Sequence, residues 1–173
     1  RYHDALGVPV DELPMAVPVN LRSDADPAGG NRFAGVNLAA PIGIEVTAAR
    51  IAEIHTQMTR KREERALDLT GAVAPVLSLL PDPALEAMAG SVVNADVQAS
   101  NLPVFLEDTY IAGAKVLRQY GLGPLPGVAM MVVLMSRSGW FTVTARYDRA
   151  AVADARLFAE CLLAGVDEGL ALG

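Results

Sequence analysis

"VAMMVVLMSRSGWFTVTARY", residues 128–147, reads as two strands joined by a tight turn. An apolar run over 128–135 and an extended run over 140–147 flank "SRSG", and a short glycine-containing loop between two such runs marks a β-hairpin. The period then changes. From 149 to 172 the apolar residues recur at helical spacing, with Leu157, Cys161 and Ala164 on one stripe and Phe158, Leu162 and Val166 beside it. So wide an apolar face is expected to lie on a sheet.

Upstream of the hairpin, "NADVQASNLPV", residues 94–104, alternates through Ala95, Val97 and Ala99 and then meets Ser100, Asn101 and Pro103. A strand ending in a polar elbow is expected there. Asn101 has two readings: its amide satisfies the turn, as asparagine commonly does, or it faces a substrate channel. Further on, "YIAGAKVLRQYGLGPL" reads as a strand carrying Gly113, at which another backbone approaches closely. Strands are also expected over 15–21 and 32–40, separated by the turn-rich "RSDADPAGGN". A helix from Thr47 would place Ile51, Ile54, His55 and Met58 on one face ahead of a solvated "RKREER". Two more helical segments, 68–80 and 83–92, are divided by Pro81 and Pro83. Strands mixed with helices, the last helix packed across, describe an α/β two-layer sandwich, with a mixed, largely antiparallel sheet and helices packed on it.

The composition limits what such a domain does. With 173 residues the chain is a single domain able to bury a real core. Hydrophobic residues reach 52% against 20% charged, an excess that points to apolar surface meant for a partner, another domain or a lipid-like ligand. A net charge of −6 excludes nucleic acid, whose backbone demands concentrated lysine and arginine. Cys161 is the only cysteine, so no intrachain disulfide or cysteine-rich zinc site can form, and the chain reads as intracellular, with a cytoplasmic location expected. The longest apolar run, 128–135, is far short of the roughly 20 residues of a membrane-spanning helix. The chain opens on Arg1 without a secretory leader, and a piece of a longer polypeptide is expected.

Self-contained catalytic chemistry is hard to find. His3 and His55 are the only histidines, and neither has a neighbour at metal-ligand spacing or a nucleophile with which to form a triad. His55 reads as a packed core residue and His3 as surface. "GLGPLPG" lacks the dinucleotide-binding spacing and opens no helix. Asp24 and Asp26 begin like a calcium loop, but later ligand positions fall on Ala28 and Gly35. Cys161, among leucine and alanine, reads as a small packing residue.

Taken in order, "AVPVNLRS", "GNRFAGVNLAAPIG", "AARIAEIH", "SNLP", "YIAGAKVLRQYGLGPL", "SGWFTVTARYDRAAVAD" and the closing helix resemble the C-terminal half of bacterial wax ester synthase/diacylglycerol acyltransferases. The likeness covers nearly the whole chain. That family resembles chloramphenicol acetyltransferase, with two similar α/β halves facing one another across a channel that acyl-CoA and the acceptor alcohol enter. The resemblance implies that residues 1–173 are one C-terminal domain whose partner is an N-terminal half. Its substrates would be a long-chain acyl-CoA and a fatty alcohol or diacylglycerol, with no metal or redox cofactor. Peripheral contact with a membrane or lipid-droplet surface is a further implied partnership.

Residue by residue, the resemblance puts Asn101, Leu102 and Pro103 at a strand end near the channel and makes Gly113 and Ala114 size gates of an acyl pocket. Met131 stands where the family often has an asparagine that faces the channel. The chain departs from the pattern at Val104 and Phe105, where the family has Gly-Pro, and at Met130 to Val132, where it often has Leu-Asn-Ile. The family's His-His-x-x-x-Asp-Gly signature, whose second histidine is the general base, is absent from this chain. The resemblance therefore implies one wall of the channel, inactive alone. Two other readings stand beside it: a non-catalytic lipid-binding or scaffolding module, and an acyltransferase or condensation-type enzyme with another acceptor.

Overall fold

The computed structural model describes residues 1–20, 33–63, 95–103, 108–125, 127–137 and 139–173. The helices expected over 68–80 and 83–92, the loop of Asp24 and Asp26, and Val104 and Phe105 lie outside the described residues. In chain order the elements are α1 (Tyr2–Ala5), β1 (Leu13–Asn20), β2 (Phe33–Ala40), α2 (Thr47–Glu63), β3 (Val97–Pro103), β4 (Tyr110–Ile111), β5 (Ala114–Lys115), β6 (Met130–Arg137), β7 (Trp140–Tyr147) and α3 (Ala155–Leu170).

The expected hairpin is present. β6 and β7 pair antiparallel from Met130↔Tyr147 to Arg137↔Trp140, so two residues make the connection, and Gly139 takes the positive φ of +80° that such a turn requires. β1 and β2 form a second antiparallel pair, Leu13↔Ala40 to Asn20↔Phe33. β3 joins the two pairs in parallel, giving the order β2-β1-β3-β6-β7. The fold is α/β with a mixed sheet, antiparallel at both flanks and parallel in the middle.

Alternation along the strands divides the side chains between two faces. On one, Val19, Val36, Leu38 and Ala40 form a buried cluster against which Met15, Val17 and Met58 of α2 pack. α3 lies on this face as well: Phe158 meets Tyr147 of β7 edge to face at 5.2 Å, and Tyr2 of α1 at 5.7 Å. Glu168 binds Arg1, accepts from Thr47 Oγ1 at 3.3 Å and lies 3.7 Å from Arg50, joining the ends of the three described helices.

Local chemistry corrects two helical expectations. α3 starts at Ala155 rather than near 149, because Asp154 caps it by accepting from the Leu157 N–H at 2.9 Å, and Asp148 turns the chain beforehand by accepting from the Ala150 N–H. α2 does begin at Thr47, but His55 is exposed rather than packed. The inward stripe is Ile54, Met58 and Lys61, spaced four and three apart, and His55 sits one residue off it.

Among the described residues no helix lies on the second face. Residues 116–125, without regular secondary structure, run across it. Arg137 Nη1 donates to the Val116 carbonyl at 3.3 Å, Thr142 Oγ1 to the Gln119 carbonyl at 2.7 Å and Arg146 Nη1 to the Gly123 carbonyl at 3.0 Å. These donors from β6 and β7 satisfy carbonyls that have no ladder of their own. Leu125 completes the cover by packing on the buried cluster of Ala16, Ala95 and Val128.

Candidate functional site

The site is framed by a split in the sheet. β1 and β3 run parallel but pair only at Met15↔Val97 and Ala16↔Gln98. β1 then continues with β2 alone, and β3 with β6 alone as far as Pro103↔Ser136. The cause lies in β1. The Pro14 carbonyl accepts from the Asp96 N–H at 2.9 Å, on the β3 side; by the two-residue repeat of a strand, the nitrogen of Pro18 faces the same way, and proline has no hydrogen to donate. The two strands therefore part at their carboxyl ends, where open α/β sheets place their ligand crevices.

The expected elbow is corrected by this arrangement. Ser100 and Asn101 do not end the strand, because register with β6 carries it on to Pro103, its last residue. Asn101 is exposed at the mouth of the split, and its side chain makes no hydrogen bond with the described residues, so it does not satisfy a turn. Leu102, 45% exposed, points to the opposite face and pairs with Met135.

Gly113 is also corrected. Tyr110↔Lys115 and Ile111↔Ala114 make a two-residue hairpin in which Ala112 (φ +49°) and Gly113 (φ +83°) are the turn. Two consecutive positive φ values define the mirror-image turn that favours glycine, so the residue serves turn geometry. Among the described residues nothing lies within 4 Å of where its Cβ would be, so none of their backbone approaches it. Close approach occurs instead at Gly121, over Val133 and Met135, and at Gly123, over Met131. Met131 is half-buried beneath Gly123, and three residues of strand separate it from Met135.

A cleft of about 490 Å³ opens at the β6–β7 turn, on the face crossed by residues 116–125. Met135, Phe141 and Thr142 contribute from the hairpin, and Val116, Leu117 and Gln119 from the covering segment. Among the described residues Lys115, Arg118 and Arg137 bring three cations and Asp108 one carboxylate. Lys115 Nζ lies 2.8 Å from Asp108 Oδ2, and this hydrogen bond holds the ammonium pKa above its ordinary value. The Arg118 guanidinium sits 5.9 Å from the centre of the Trp140 ring. Leu102 adjoins the cleft through Met135, and Ala114 through Lys115. Met131 lies away from it. The cationic and aromatic lining was not anticipated from sequence; the one available signal was Trp140, the chain's only tryptophan, directly after a turn glycine.

Comparison with known proteins places this geometry in a family. Residues 29–168 match the WS/DGAT C-terminal domain, and the chain belongs to that family. A Mycobacterium tuberculosis protein named a putative diacylglycerol O-acyltransferase is 64% identical over 172 residues, which are 99% of this chain and 35% of that protein. Another protein of the same organism, so named, is 32% identical over 140 residues, 78% of this chain and 31% of that protein. The wax ester synthase/diacylglycerol acyltransferase of Marinobacter aquaeolei shares the fold, with a TM-score of 0.56 and 19% identity, over 96% of this chain and 38% of that one. This chain thus spans about a third of the length of the curated relatives it matches.

Proposed function

We propose that this chain is the C-terminal half of an acyl-CoA-dependent O-acyltransferase that makes wax esters or triacylglycerol from a long-chain acyl-CoA and a fatty alcohol or diacylglycerol. The family match over residues 29–168 carries the reading. In it, the split between β1 and β3 borders the substrate channel. Asn101 offers a free amide to a carbonyl, a hydroxyl or the facing half, and Leu102 gives the channel an apolar edge.

The base comes from outside this chain. Transfer from a thioester to an alcohol needs a base within about 3 Å of the hydroxyl, and such help is worth roughly 10²–10⁴-fold. His3 belongs to α1, which packs through Tyr2 and Phe158 beside Tyr147, and Tyr147 pairs with Met130 at the far end of β6 from Asn101. His55 is exposed on α2, which packs against β2 through Met58. The thioester is already an activated acyl group, so the reaction calls for no metal or redox cofactor. Among the described residues no helix is long and apolar enough to cross a membrane, and peripheral contact with a lipid surface fits the reading.

The test is reconstitution. Residues 1–173 alone are expected to form no ester from palmitoyl-CoA and hexadecanol or dioleoylglycerol, and addition of an N-terminal half bearing His-His-x-x-x-Asp-Gly is expected to restore turnover. Robust turnover by the 173-residue chain, abolished by His55→Ala, would overturn the half-enzyme reading.

A further inference from the structure

We propose that the cleft at the β6–β7 turn binds the nucleotide end of the acyl donor, an adenine ring carrying phosphates, with Arg118 and Trp140 as its two recognition groups. The inference rests on the acyl-CoA reading for its choice of nucleotide, and on the cleft itself for the rest.

Charge is the first argument. The chain as a whole carries −6, yet among the described residues three cations and one carboxylate line this cleft. Asp108 is engaged by Lys115 at 2.8 Å, and Arg137 is tied to the Val116 carbonyl. Arg118 forms no hydrogen bond or ion pair with the described residues, and the Trp140 ring is its neighbour. A guanidinium with its donors free is matched to phosphate, whose oxygens accept two of its N–H groups in parallel.

The second argument is the indole. Trp140 is 74% exposed, an unusual placement for so large an apolar side chain, and the hairpin register holds it opposite Arg137. An aromatic plane beside a free guanidinium offers a purine both a stacking surface and a counter-charge for its phosphates. A lipid headgroup would satisfy Arg118 and leave the ring unused. The apolar floor of Met135, next in register to Leu102, runs from the cationic mouth to the Leu102 side of the split, on the face opposite to Asn101. A nucleotide at the mouth would therefore direct the rest of its donor toward the proposed channel.

Trp140 is the only tryptophan, so its fluorescence reports the site directly. Adenosine 3′,5′-bisphosphate titrated onto the 173-residue chain is expected to quench it saturably. Arg118→Gln should weaken that binding about tenfold or more. By calorimetry Trp140→Ala should weaken it also, with Trp140→Phe intermediate, while far-UV circular dichroism stays unchanged because both side chains are exposed. No saturable quenching up to about 10 mM would overturn the proposal, whether or not the reconstituted enzyme transfers acyl groups. Binding that survives both Arg118→Gln and Trp140→Ala would overturn it too. So would binding to phosphatidylglycerol vesicles, lost in Arg118→Gln, without any response to the nucleotide. Nucleotide binding by a protein that forms no ester after reconstitution would support the site and remove the acyltransferase reading alone.

Discussion

Gly121 lies over Val133 with no room for a side chain: a Cβ on the glycine would come 2.3 Å from the valine Cγ1. The segment that roofs the second face of the sheet therefore rests directly on β6. Gly121→Ala is expected to cost about 1–3 kcal/mol and to lower the melting temperature by several degrees. Adding Val133→Ala should recover part of the loss, since it removes the atom that is struck. Equal melting temperatures for wild type and Gly121→Ala would mean that the roof is not seated as described.

Thr144 sits on the same roofed face, opposite Val133, with its hydroxyl buried and unpartnered. A buried hydroxyl without a hydrogen bond is a net cost, and valine has nearly the same shape. Thr144→Val is expected to raise stability by about 1 kcal/mol in urea titration. A loss of similar size would show that the hydroxyl has a partner in solution.

Asn101 separates stability from activity. With no side-chain hydrogen bond to the described residues and an exposed position, Asn101→Ala should shift the melting temperature by no more than about 2 °C. In the reconstituted enzyme the same change is expected to lower kcat/KM roughly tenfold, the size of one lost polar contact to substrate. Unchanged kinetics would remove Asn101 from the channel.

Lys115 supplies the pH dependence. Its pKa is raised first by the hydrogen bond to Asp108 and then by the attraction of that carboxylate. A pKa raised in the folded state gives stability that is fully present below lysine's ordinary pKa of 10.5 and disappears as pH climbs through the higher folded value. Both partners are about half exposed, so the effect is small and fades with salt. Melting curves of wild type and Lys115→Met should therefore differ slightly at neutral pH in low salt and converge only above about pH 10.5. Convergence already at pH 8 would show that the pair does not form.

Gly113→Ala is expected to cost about 1 kcal/mol through its positive φ alone, since the site is otherwise open. Gly113→Asn should be nearly neutral, because asparagine tolerates that conformation. If Gly113→Leu in the reconstituted enzyme left acyl-length preference unchanged, the glycine would be a turn residue and no gate.

The sequence determined the parts of this protein whose causes are local. A two-residue connection ending in Gly139 makes the β6–β7 hairpin, and the helix begins at Thr47, because these outcomes depend on neighbours a few positions away. Family membership was legible too, since it needs only the order of short stretches. At the candidate site the sequence could name Asn101 and Leu102 only as expectations, and it could not show that they lie on opposite faces of β3. Only the tertiary structure put β3 between β1 and β6, pairing residues more than 30 positions apart in parallel, and only it turned Pro18 from an unremarked strand residue into the reason the sheet splits. The same holds for Gly121 and Gly123, whose spacing looked like an ordinary loop until Val133 and Met131 were beneath them, and for Arg118 and Trp140, brought together from 22 positions apart. Hydrophobic period and turn chemistry act over a few residues, whereas a cleft is made by contacts between distant segments, and a pattern read along the chain carries no distance between them.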